Sequence, residues 1–186
     1  MSEQNSKDIP APQPIPLSED VKSFLLAEYA ALMAEILKRS ETQHQLISLA
    51  VIATGTFLTF GLQNSITISL AYPIVSMFLA ATWAQHDYRI RQIGAYIKER
   101  IESKFLGNNL GWEHTGPKRY IGRFGSLTVL ASRGVFIGTQ ILAVVISAVR
   151  TTFPTEDIIL LIVDVLLIIL TLLILRRHKV NFEQPL

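Results

Sequence analysis

Four blocks of apolar residues constrain this chain more than anything else in it. They cover roughly residues 46–62, 66–84, 127–149 and 158–175, each close to the ~20 residues whose helix spans a hydrocarbon core. A soluble domain of this length, 186 residues, would spread its apolar positions along every element. Here they are concentrated, and each block reads as a transmembrane helix. The first two form a hairpin, because only Gln63, Asn64 and Ser65 separate them in a stretch that carries no Asp, Glu, Lys or Arg from Gln45 to Gln85. One bent span is excluded, since the whole run would rise about 60 Å as a helix. Pro73 is expected to kink the second span or loosen its first turns.

Around these spans the pattern changes. Residues 1–18 are polar and proline-rich, with Pro10, Pro12, Pro14 and Pro16, and read as an extended or disordered tail. They contain no apolar core of a cleavable signal. Ser18 precedes Glu19 and Asp20 as an N-cap with acids in the first turn. Val21, Phe24, Leu25, Leu32, Ile36 and Leu37 then recur at helical spacing, which predicts an amphipathic helix. After the second span, Ile90, Ile93, Ile97 and Ile101 continue at intervals of three or four among charged residues. That helix is expected to run out of the membrane to about Phe105, so residues 19–106 form one unit. Glycines, asparagines and Pro117 mark 107–123 as a loop. Residues 124–177 carry the second hairpin, and 178–186 a short tail.

Basic residues give the arrangement a direction. Lys22, Lys38 and Arg39, then Arg89, Arg91, Lys98, Arg100, Lys104, Lys118, Arg119 and Arg123, then Arg176, Arg177 and Lys179 all fall on one side. The other side has Arg150 with Glu156 and Asp157. The expected topology places both termini in the cytoplasm, in the cell's inner (plasma) membrane. The net charge of +2 does not point to nucleic acid. The absence of cysteine excludes disulfides, thiolate metal sites and cysteine nucleophiles.

Two charges lie inside apolar blocks, where each costs at least a few kcal/mol if unpaired. Arg133 lies ten residues past Arg123, and Asp164 twelve before Arg176. Their levels should differ by only about 3 Å, which predicts an intramembrane ion pair. It can serve as a docking salt bridge or as a gating or permeation element; otherwise Arg133 snorkels to the inner surface. Ser126, Arg133, Gln140 and Ser147 repeat every seven residues, and Asp164 and Thr171 do the same on the fourth block. These polar stripes should turn inward, as helix glue or as a pore lining. Gly134 and Gly138, and the series Ser76, Ala80 and Ala84, offer close helix contacts within one chain or between subunits.

His44 and His86 should fall opposite one another at the inner end of the first hairpin, near Asp87. They read as a hydrated interfacial belt with Trp83 and Tyr88, or else as a divalent metal or pH-sensing site. Lys118, Arg119, Arg123, Arg176 and Arg177 read as basic anchors for anionic lipid. No P-loop, GxGxxG, HExxH, GxSxG or carboxylate cluster is present. No cofactor is implied, and no residue set specifies an enzyme.

The amphipathic helix, tight hairpin and helical extension of the first hundred residues resemble the SLATT-type bacterial membrane effectors and related four-span effectors. That resemblance implies a pore-former. The second hairpin departs from the two-span module. Together these readings describe an all-α integral membrane protein of four transmembrane helices in two hairpins, with amphipathic cytoplasmic helices. Its expected role is an oligomeric channel, pore or pore-forming effector. The alternative is a membrane scaffold or adaptor that recruits a cytosolic partner or anionic lipid through its basic face.

Overall fold

The structure, a computed structural model, describes residues 18–64, 66–103, 122–149 and 155–176; at 66, 122–129 and 155–157 it describes the backbone alone. These residues are almost entirely helical. The elements are α1 (Glu19–Gln63), α2 (Ile66–Leu70), α3 (Tyr72–Tyr96), a π-helical turn (Ile97–Glu102), α4 (Gly122–Ala148) and α5 (Thr155–Arg176). Lys118, Arg119, Arg177 and most of the tail and loop segments lie outside the described residues. Arg123 and Ser126 are placed on α4 by backbone only.

α1 starts where Ser18, in an extended conformation, hands over to Glu19 and Asp20. The Lys22 amide donates to the Ser18 carbonyl at 3.1 Å as the first helical bond. The amphipathic segment and the first apolar block then form one unbroken helix of 45 residues. Nothing between Leu37 and Leu46 breaks it, since that stretch has neither glycine nor proline. Its polar side chains instead brace the helix. Arg39 Nε donates to Glu35 at 2.8 Å, and Thr42 Oγ1 donates back to the Lys38 carbonyl at 3.0 Å. The full helix is about 67 Å long, roughly twice a hydrocarbon core.

The reversal after α1 is tight. Ser69 lies against Gly61, where a Cβ would collide with the Ser69 hydroxyl and come within 2.9 Å of its backbone nitrogen. Only glycine lets the two helices approach this closely. The second block is interrupted after Leu70 and resumes at Tyr72, with Pro73 in the first turn of α3. The pyrrolidine ring has no N–H to donate and displaces the carbonyl one turn earlier, so α2 and α3 are separate helices with a bend between them.

α1 runs antiparallel to α2 and α3. Successive contacts join Phe57 to Ser69, Ala50 to Tyr72, Gln43 to Trp83 and Glu28 to Tyr96. The last pair lies well beyond the apolar blocks. The Tyr96 hydroxyl donates to the Glu28 carboxylate at 2.8 Å, and that bond together with the adjacent negative charge raises the phenol above its ordinary pKa of 10.0.

α3 is the central helix and packs against α1, α4 and α5. Ser76, Ala80 and Ala84 are fully buried on it, and the core gathers Ala50, Ala80, Trp83, Ala84, Phe136 and Leu175. The Trp83 and Phe136 rings meet at 6.3 Å. The outer surfaces of α4 and α5 are aliphatic: Leu130, Val145, Ile159, Ile162 and Leu166 are all more than half exposed. Four helices are long and apolar enough to cross a membrane.

Candidate functional site

Gln140, Ser147, Asp164 and Thr171 of α4 and α5 are buried inside the bundle, and Gln140 and Thr171 meet at the bend between α2 and α3. Gln140 is fully buried. Its Nε2 donates to the Pro73 carbonyl at 3.4 Å and to Thr171 Oγ1 at 3.1 Å. Thr171 in turn donates to its own helix at Leu167, 2.8 Å away. Beside this, the Tyr72 hydroxyl reaches Thr139 Oγ1 at 2.7 Å and the Ala50 carbonyl at 3.2 Å. Tyr72 therefore links α1, α3 and α4, and Gln140 links α3, α4 and α5. One hydrogen-bonded layer fastens all four long helices, each bond contributing roughly 0.6–2 kcal/mol in an apolar surrounding. Ser76 adds a longer bond from α3 to the Phe136 carbonyl at 3.4 Å. Gln140 Oε1 has no partner.

The Gln140–Thr171 bond sets the register of α4 against α5, and this corrects the expected ion pair. Arg133 lies seven residues toward the start of α4, and Asp164 seven toward the start of α5. On antiparallel helices those displacements are opposed, so the two side chains are about 21 Å apart along the axis. They do not pair. Arg133 instead reaches Asp87 on α3 at 3.7 Å, and Asp87 also binds Arg91 at 2.8 Å. Arg133 lines the same surface groove as Arg176, so it sits at the end of the bundle rather than within it. Counting from Arg123 and Arg176 failed because it takes them as level, whereas the Gln140–Thr171 register sets them about 18 Å apart along the axis.

Asp164 is the most unusual residue of the interior. It is 1% exposed, and neither carboxylate oxygen has a hydrogen-bond partner. The heptad register places it level with Ser147, which is buried and donates only to the Ala143 carbonyl of its own helix at 2.8 Å. A buried carboxyl without partners costs several times more than a buried hydroxyl. Among the described residues nothing offsets that cost.

Other candidates fall differently. Gly134 and Gly138 face open space, where an added Cβ would meet nothing within 4 Å. Among the described residues they therefore make no close helix contact. Ser76, Ala80 and Ala84 do so. His44 is exposed while His86 is half-buried with Nδ1 unpartnered. The Gln43–Trp83 contact puts His44 about one turn from the level of His86. Among the described residues, no three His, Cys, Asp or Glu side chains could hold a metal ion. Asp87 is the residue that sequence reasoning misplaced, although its spacing of four from Arg91 already announced an ion pair on one helix face. Tyr72 was missed altogether, because one tyrosine beside a proline has no pattern to mark it. Compared with protein-family models, curated proteins and solved structures, the chain matches none of them.

Proposed function

We propose that this protein spans the inner (plasma) membrane four times, with both termini cytoplasmic, and acts there as an oligomeric channel or pore. The observation that carries the reading is Asp164, buried in an apolar bundle with both carboxylate oxygens unpartnered. An ionisable group held at such cost inside a membrane bundle points to ion passage or its control. The inverted distribution around it supports the membrane placement: Gln140, Ser147, Asp164 and Thr171 are inside, and aliphatic side chains are outside. In this reading the packed bundle is the closed form. Opening separates α5 from α3 and α4, breaks the Gln140–Thr171 bond and hydrates the line from Thr171 to Asp164. The resemblance of the first hundred residues to the SLATT-type effectors, drawn from the sequence pattern alone, points the same way.

The test is ion flux from liposomes containing the reconstituted protein. Wild type releases the trapped ion, whereas Asp164→Asn loses most of that release while remaining folded and inserted. Absence of flux from correctly inserted wild type would refute the channel reading. A scaffold role is the alternative. It is favoured by Phe24, Leu26 and Leu37, which are large, apolar and more than 60% exposed on the extension of α1. A scaffold gives no flux and loses a cytosolic partner when Leu37 is changed to Glu.

A further inference from the structure

At the end of the bundle that carries Asp87 and Arg176, a groove of about 480 Å³ runs between α4 and α5. Its walls are aliphatic, with Ile137 on one side and Ile169 and Leu173 on the other. Its floor is deepened at Gly134, where a side chain is absent and nothing lies within 4 Å of a Cβ position. Two cations, Arg133 and Arg176, line its mouth. Arg133 is only partly neutralised. Its contact with Asp87 is long, 3.7 Å, and Asp87 is already bound to Arg91 at 2.8 Å. The Arg133 Nε is buried with no hydrogen-bond partner. An apolar channel lined at one end by two guanidiniums complements a molecule with an alkyl chain and an anionic head.

We propose that this groove binds one phospholipid with an anionic headgroup, its phosphate between Arg133 and Arg176 and one acyl chain along Gly134. Guanidinium groups suit the phosphate because they donate in a fixed, planar fork. A basic pocket between membrane helices near the cytoplasmic surface is where such a headgroup is held. The exposed Gly134 is then accounted for as room for the chain, since the helices themselves make no use of it. The proposal rests on the membrane placement and is independent of ion conduction.

Native mass spectrometry of the full chain in detergent tests it, with phosphatidylglycerol and phosphatidylcholine added in equal amounts. Wild type retains phosphatidylglycerol preferentially. Arg176→Gln removes one charge contact and lowers that preference about fivefold. Gly134→Leu fills the groove and does the same without displacing any neighbour, whereas Gly138→Leu, also facing open space, leaves the preference intact. Equal retention of both lipids by wild type would overturn the site and leave the membrane placement standing. So would a preference that survives both Arg176→Gln and Gly134→Leu. A wild-type chain that retains no phospholipid of either kind would likewise overturn the site, and the membrane placement, which detergent extraction does not test, would stand.

Discussion

Single residues carry opposite demands in this bundle. Asp164 lowers stability, because its carboxyl is buried without a partner, and leucine at the same place would extend the aliphatic helix around it. Asp164→Leu is therefore expected to stabilise the detergent-solubilised protein by about 1–3 kcal/mol, read as a rise in thermal unfolding temperature, even as it abolishes flux. Asp164→Ala, which adds no bulk, separates overpacking by leucine from a partner of the carboxyl: a loss of stability in both variants would mean that the carboxyl has one. Gly61 shows the converse. A methyl there would press on the Ser69 backbone, so Gly61→Ala should cost about 1–3 kcal/mol and Gly55→Ala, facing open space, almost nothing. Asp164 could be singled out from sequence, because a lone acid in an aliphatic block stands out. The demand on Gly61 could not, since it depends on where a residue eight positions later is placed.

Elements were legible to different depths. The heptad spacing of Gln140, Ser147, Asp164 and Thr171 puts these residues on inner faces, and all four are buried. The register between the two helices was not legible. It depends on one hydrogen bond, Gln140 to Thr171, and basic residues near two helix ends are poor rulers when those ends lie at different levels. The register predicts that a Ser147→Cys, Asp164→Cys double variant oxidises to a disulfide, and that an Arg133→Cys, Asp164→Cys variant does not. Gel mobility with and without reductant distinguishes them, and the reverse outcome would restore the ion pair. At the end of the bundle, Arg133 and Asp87 should couple by only about 0.5–1 kcal/mol in a double-mutant cycle, because Arg91 already holds the carboxylate. The length of α1 was also legible in hindsight. No breaker lies between its amphipathic and apolar halves, yet the change in composition suggests two helices.

At the scale of the molecule, the two hairpins differ in kind. The first continues past its apolar part as a pair of antiparallel helices joined at Glu28 and Tyr96. The second ends near Arg176 and supplies the buried polar line. Both the conduction reading and the lipid site depend on four crossings with the termini on one side. The chain has no cysteine, so single introduced thiols report topology without background. The most direct measurement is labelling of intact cells with a membrane-impermeant maleimide. Asn64→Cys and Thr152→Cys are expected to react from outside, while Ser18→Cys and Gln184→Cys react only after the cells are opened. Labelling of Ser18→Cys or Gln184→Cys in intact cells, or protection of either turn, would contradict the four-crossing arrangement.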